Sequence, residues 1–365
     1  MPAPVQDIYI TPSTSVIQLS LEPAFNAFHS LAMLAKSEKI SGLGEWIDRT
    51  AAAMTAEEKE RHRLVMFGLW FAAMPTKSYA SFDDYLSELE TVSPEALQDK
   101  LLDGYATCTD KSERQEPVIY EKESVLSDLD SYLAFLGLCF DSEHIDEDFE
   151  SKAFVYLRDP ARMKELIVGH LGHMWGKYLR EEWQRYQPLL MNSVQAFREV
   201  DYDDMSLDDA FKFITGREIP EESWSVAITQ ADKITFIPSA HMGPYVGQVE
   251  LDDGIGIIFG ARMPEGTRDV DPELNRAEIL VRLSALADDT RLHILKTISE
   301  EGEMRSQDIR NELGLSQSAT SRHLSQLNAT GYLIARCCEG AKCYRLNTDR
   351  IEDTLKSVSA YLTLN

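Results

Sequence analysis

Basic residues are scarce in this sequence. It carries 36 Lys and Arg against 61 Asp and Glu, a net charge of −25 over 365 residues. A body so acidic is repelled by phosphate-rich surfaces, which argues against a protein that coats RNA or an anionic membrane with its bulk. Long apolar runs are missing as well. The longest, Leu64 to Met74, is about half of the roughly 20 residues that cross a bilayer. Met1 to Asp7 has neither the basic start nor the apolar stretch of a secretory signal, so a cytoplasmic protein is expected. The five cysteines are few and odd in number, which reads as free thiols rather than a disulfide framework. No phosphate loop, nucleophile elbow, HExxH helix or tandem repeat occurs, and no enzyme or cofactor is indicated by motif.

What is present divides by character. Up to about Gly216 the apolar spacing is helical. The segments Glu22 to Lys36, Glu57 to Ala73, Val118 to Phe140 and Asp146 to Leu157 read as helices, followed by a long one opened by Pro160 that Pro188 should end or kink. From Ser223 the pattern alternates. Ser225 to Thr229, Lys233 to Ile237, Tyr245 to Leu251 and Ile255 to Ala261 read as four strands of a small antiparallel sheet, with Asp252-Asp253-Gly254 turning the last two into a hairpin. Met263 to Asp271, followed by Pro272, reads as a linker. The expected fold is α+β and mostly α: a large helical domain with a small antiparallel sheet over 1–271, then a smaller domain over 272–365.

The most informative stretch is Ser306 to Asn347. Ser306 to Leu313 is a short amphipathic helix that Ser306 can cap, and Gly314 supplies the left-handed residue that ends it. Ser316 caps a second helix, Gln317 to Ala329, whose Ala319, Leu324 and Leu327 should point inward. Two short helices about a glycine turn make a helix-turn-helix, which offers its second helix to a DNA major groove. Tyr332 to Cys338 and Lys342 to Leu346 then alternate as two strands, and the hairpin completes a winged helix. Ser316, Gln317, Ser318, Thr320, Ser321, Arg322, His323 and Gln326 are the candidate contacts of the second helix, short hydroxyl and amide side chains with one phosphate-neutralising arginine. Arg336, Lys342 and Arg345 are the candidates of the wing. Charge agrees with the division. Residues 272–365 hold 12 Lys and Arg against 13 Asp and Glu, so a charge of −24 belongs to residues 1–271.

On these residues the segment Leu283 to Asn347 resembles the winged-helix domain of the ArsR/SmtB family of bacterial transcription regulators. The resemblance rests on Leu286-Ala287-Asp288-Asp289-Thr290-Arg291-Leu292-His293-Ile294-Leu295, on Leu315 through Leu324, and on Gly331-Tyr332-Leu333-Ile334 leading into the wing. Leu21 to Phe25, Asp159 to Arg162 and Pro238 to Pro244 are similar to the long N-terminal domains attached to some of these regulators. The resemblance implies a homodimer on double-stranded DNA with a two-fold-related operator, and dimer contacts through Asn275 to Leu286 and Ile351 to Leu362. It implies no metal site here. Glu303 to Asp308 lacks the cysteines of the family's metal sensors, and Arg350 to Leu362 lacks their histidines.

Elsewhere the candidates are few. His170 and His173 are three apart on a helix, with Glu181 and Glu182 beyond them; a metal and a pair of partly buried helix histidines are the two readings. Trp175, Tyr178 and Trp183, with His241 in its Gly/Pro loop, are candidates for a small-molecule effector site, against the default of core packing. Cys338 and Cys343 flank the wing turn and should lie roughly opposite each other. The expected function is DNA-binding regulation modulated through residues 1–271. The alternative is a metal-dependent N-terminal enzyme whose winged helix docks a protein.

Overall fold

The structure is a computed structural model that describes residues 17–108, 116–141, 145–220, 222–264, 272–338 and 341–363. A β-prone run at Ile8 to Ile10, all but the last residue of the polar segment Thr109 to Glu116, and most of the expected linker Met263 to Asp271 lie outside the described residues. No helix among those described is long and apolar enough to cross a membrane. The described residues form two compact units, one from those of 22–36 and 46–184, the other from those of 17–21, 37–45 and 185–363. The boundary thus falls elsewhere than residue 271, and the winged helix shares a unit with the small sheet.

The first unit is all helical. Pro23–Lys36 is buried along most of its length from Ala24 to Leu34, since Ala, Phe, Leu and Met occupy nearly every side of it. Its polar residues are satisfied locally: His29 Nδ1 lies 3.0 Å from the Phe25 carbonyl oxygen, and Ser30 donates to Asn26 O at 2.9 Å. The run expected as one helix from Glu57 is Ala56–Arg63, closed at its start by a Thr55/Glu58 capping box, then a π turn at Leu64–Gly68 and a short helix Trp70–Ala73. Val118 to Phe140 is likewise divided, into Lys122–Val125 and Leu129–Cys139, because Asp128 caps the second helix instead of continuing the first. Pro160 begins Pro160–Met174 as expected, and a second π turn, Trp175–Leu179, follows. Buried His62 precedes the first π turn and buried His170 lies in the helix before the second, and these two rings meet at 2.9 Å between Nδ1 and Nε2.

The helix Arg180–Arg198 runs through Pro188, where a break or kink was expected. In the second unit it packs, with Leu207–Thr215 and Glu222–Gln230, on the sheet. That sheet has strands β1 (Ile17–Leu19), β2 (Ile234–Ser239), β3 (Val246–Leu251) and β4 (Gly254–Gly260) in the order β1-β2-β4-β3. Only β3 and β4 are antiparallel; β1 with β2 and β2 with β4 are parallel, so the expected antiparallel sheet is in fact mixed. The run Ser225 to Thr229 is helical instead of a strand. Trp224 and Ile228, four apart, both pack into the core under the sheet, and that spacing suits a helix. The missing strand comes from the far end of the chain as β1. The β3–β4 hairpin turns at Asp252-Asp253 as expected, and Gly254, at φ +151°, lies where a Cβ would meet Lys233 O at 2.1 Å.

The winged helix is built from helices Pro272–Leu286, Asp289–Glu301, Ser306–Leu313, Gln317–Ala329 and Thr348–Thr363. A three-stranded sheet completes it: β5 (Met304–Arg305), β6 (Leu333–Cys338) and β7 (Ala341–Leu346), ordered β5-β7-β6. Ile294, Leu295, Ile298, Ile309, Leu324, Leu327, Tyr332 and Leu333 form its core. Arg291 reaches back to cap the first helix, donating from Nε to Ala285 O and from Nη2 to Ser284 O, both at 2.7 Å. The buried Tyr332 hydroxyl lies 3.2 Å from Arg282 O and 3.0 Å from Thr354 Oγ1, joining the first and last helices.

Candidate nucleic-acid interface

Two local signals set the turn of the helix-turn-helix. Gly314 adopts φ +62°, and its N–H closes the preceding helix on Arg310 O. Ser316 Oγ then accepts from Ala319 N–H at 3.2 Å and opens Gln317–Ala329 at the expected residue. Ser306 is the first residue of its helix and not its cap; Arg305 holds the cap position without a side-chain bond.

The structure divides the expected contacts of the second helix in two. Ser316, Gln317, Ser318, Ser321 and Arg322 are exposed. Thr320, His323 and Gln326 are buried, which corrects their placement on the outer face. Thr320 is four residues before Leu324 and His323 four before Leu327, so helical geometry turns both toward the core that those leucines enter. Thr320 spends its hydroxyl on Ser316 O at 2.9 Å. His323 Nδ1 is buried 3.8 Å from Asp288 Oδ1, and burial is the main cause of its lowered pKa. Gln326 is covered from outside the module: its Oε1 accepts from Ser41 Oγ at 2.5 Å, and Gly42 (φ +84°) lies so close that a Cβ there would be 2.8 Å from Nε2. Ser325, which the sequence reading passed over, is exposed one turn after Ser321.

The wing cations also separate. In β6–β7 Arg336 pairs with Cys343, Ile334 with Arg345 and Cys337 with Lys342. Strand alternation puts Arg336 and Arg345 on one face and Lys342 on the other, the face that carries Leu333 and Tyr344 to the core. Arg336 is already engaged: Nε donates to Glu303 Oε1 at 2.6 Å and Nη2 to Oε2, a two-pronged ion pair that raises the arginine's pKa and lowers the carboxylate's. Its expected role as a phosphate contact therefore competes with Glu303. Cys338 lies opposite Ala341 rather than Cys343; the two thiols are diagonal neighbours, and hydrogen bonding between them raises the pKa of Cys338.

Lys342 instead faces the helices. With Arg305 and Arg310 it lines a cleft of about 320 Å³ that also takes in Gln317 and Thr320 from the first turn of the second helix. Among the described residues no carboxylate lines this cleft. Three cations beside a helix N-terminus, where backbone N–H groups and the helix dipole favour negative charge, suit a phosphate. Arg305 and Arg310 were not among the expected residues, although Arg310 flanks the inward Ile309 and so had to lie at the helix edge.

Residues 288–335 match the family model described as bacterial regulatory protein, arsR family. This chain carries an arsR-family helix-turn-helix domain. The match runs from the Asp288 cap to Ala335 in β6, so the arsR-family domain includes both helices of the motif and the start of its wing. No curated protein matches the chain. Such a domain indicates DNA-binding transcriptional regulation.

The other candidates lie outside the arsR-family domain. Trp175 is a core residue, its Nε1 donating to Asp83 Oδ1 at 3.0 Å and its ring 5.1 Å from Phe82. The Tyr178 hydroxyl lies against Glu58, and Trp183 is half-buried; all three belong to the helical unit. His241 is buried in the other unit, edge-on to Tyr186 at 5.8 Å. His170 turns inward to His62, while His173 turns out to Glu58 Oε1 at 2.9 Å, so the two histidines do not converge on one point.

Proposed function

We propose that the chain is a cytoplasmic transcription regulator that binds double-stranded DNA through the exposed face of Gln317–Ala329, with the Arg305–Arg310–Lys342 cleft seating a backbone phosphate. The observation that carries this is the adjacency of the two. Gln317, Ser318, Ser321 and Arg322 present hydroxyl, amide and guanidinium groups beside a cleft lined by three cations and, among the described residues, no acid. Base edges are read by the former and register is set by the latter. Arg345 adds a further exposed cation on the wing.

The working form is a homodimer, and the operator has two-fold symmetry with half-sites one helical turn or a multiple apart. Exposed Leu280 on the first helix of the module, and Leu355 and Leu362 on the last, support a second copy as their cover. The remaining residues respond to an effector and bias the dimer's DNA affinity. The test is selection of duplexes from a random pool by the full chain, with the mass of the free and bound protein measured by light scattering. An enriched two-fold motif bound by two chains is expected. Failure to enrich any motif refutes the reading, and a monomer on a single half-site refutes its dimeric form.

A further inference from the structure

The second helix of the motif, Gln317–Ala329, is free over its first half and covered over its second. Arg322, Gln326 and Ala329 stand at i, i+4 and i+7 and so share one stripe of the helix. Arg322 is exposed, whereas Gln326 and Ala329 are 1 % and 4 % exposed. Gln326 is covered by a distant stretch of chain. Ser41 donates from Oγ to Gln326 Oε1 at 2.5 Å, and a Cβ on Gly42 would stand 2.8 Å from Gln326 Nε2. Residues 41–43 belong to the same compact unit as the winged module.

That stretch is held from behind by the small sheet. Gly243, in the turn between β2 and β3, has φ +55°, and a Cβ there would stand 2.2 Å from Gly42 O and 3.2 Å from Leu43 Cα. A Cβ on Gly260, at the end of β4, would stand 2.2 Å from Gly243 O. Backbone thus lies on backbone from the sheet to residues 41–43, and the next contact outward is Gln326. Leu43 is buried. Tyr245 ties the layers together, its hydroxyl donating to Ser41 O at 2.9 Å. Burial raises the pKa of this hydroxyl, and a hydrogen bond from Ser325 works against the rise. Ser325 closes the exposed row Gln317, Ser318, Ser321, Arg322 and Ser325, so the tie reaches the edge of the face offered to DNA.

Size decides what this cover does. A helix with its side chains is about 10–12 Å across and the major groove of B-DNA about 12 Å wide, so the groove takes one helix and nothing beside it. A second backbone packed on the flank of the helix at Gln326 meets the wall of the groove. We propose that residues 41–43 are an autoinhibitory latch: seated on Gln326, between the helix and the β2–β3 turn, they bar the rear half of the helix from a major groove, and the module seats fully on DNA only when they lift. The latch rests on the reading of the module as DNA-binding. It sets affinity by population, because the apparent affinity for DNA is that of the open arrangement scaled by the fraction of chains that are open.

The test is hydrogen exchange of the full chain, read by mass on peptides spanning residues 41–44, with and without a saturating duplex. The duplex is one enriched from a random pool or, where no motif is enriched, a non-specific duplex at low salt. Exchange there is expected to quicken about tenfold or more on binding, and unchanged or slowed exchange overturns the latch. Independently, Ser41→Ala removes the donor to Gln326, and Tyr245→Phe removes the tie to Ser41 and Ser325. Each should bind the same duplex about fivefold more tightly, the factor carried by one hydrogen bond of ordinary net strength. The salt slope should not change, because neither substitution alters charge. If one variant fails to fold, the other decides. Equal or weaker binding by the variants overturns the latch and leaves residues 41–43 as a support that positions the helix. A chain that binds duplex equally well in all forms loses the latch and keeps the reading as a DNA-binding regulator. A chain that binds no duplex in any form loses both.

Discussion

Acid should unfold the helical unit through its interior histidines. His29, His62 and His170 are all at most 5 % exposed. His62 shows why they are neutral. Its Nε2 lies 2.8 Å from Leu31 O, which can only accept, so Nε2 carries the proton. Its Nδ1 then accepts from His170 Nε2–H at 2.9 Å, and a second proton on His62 would break that bond. Burial lowers His29 and His62 to about 4 and His170 to about 3. The unfolded chain, with histidines near 6.5, therefore binds protons first as pH falls. The resulting stability is complete above about pH 6.5 and is lost as pH drops toward the folded values. Between pH 7.5 and pH 5 each histidine costs about 2 kcal/mol, or about 6 kcal/mol for the three. Glu150 acts in the opposite sense. Loss of hydration raises this half-buried carboxyl to about 7 against the lowering effect of the Tyr132 hydroxyl bond, so it gains protons on folding and returns about 2 kcal/mol over the same interval. The net loss is about 4 kcal/mol, a large part of the roughly 5–15 kcal/mol that holds a typical domain. Urea unfolding at pH 7.5 and pH 5 measures it by fluorescence, since four of the five tryptophans, all but Trp224, lie in this unit. An unchanged or raised midpoint at pH 5 would refute the reasoning. His29→Gln should flatten the dependence by about a half, its share of about 2 kcal/mol out of the net of about 4, whatever it does to absolute stability.

The interface gives further expectations. Arg322→Ala should weaken DNA binding on all sequences and lower the salt slope by about 1, whereas Gln317→Ala should alter sequence preference more than affinity; salt-titrated fluorescence anisotropy separates the two. Glu303→Gln should release Arg336, tighten non-specific DNA binding and steepen the salt slope by about 1, and an unchanged slope would mean that Arg336 never meets phosphate. Gly42→Ala should destabilise its unit by roughly 1–3 kcal/mol in urea unfolding, because the new Cβ meets Gln326 on a backbone that side chains rarely adopt.

The helix-turn-helix could be read from the sequence because its signals are local. Gly314, the Ser316 cap and the spacing of Ile309, Leu324 and Leu327 each act within one or two turns, and they fix where helices start, stop and face. The β3–β4 hairpin is legible for the same reason, its turn lying wholly within Asp252-Asp253-Gly254. Thr320 and His323 were within reach of that logic too. Both stand one turn from an inward leucine, and only their polarity argued for the outer face.

Other features depend on residues far apart in the chain, and local chemistry does not contain them. Gln326 is buried by Ser41 and Gly42, 285 residues away from Ser41 at the hydrogen bond. Strand β1 joins, in parallel, a sheet whose other members begin after residue 230. Glu303 claims Arg336 across 33 residues, and Cys338 meets Ala341 because register sets which positions oppose. Sequence by itself determined the type of DNA-binding module, since helix ends and inward faces follow from short-range hydrogen bonding and periodic burial. Tertiary structure alone decided which side chains of that module stay exposed and which of its charges are paired, because burial and charge balance are sums over everything the fold brings near.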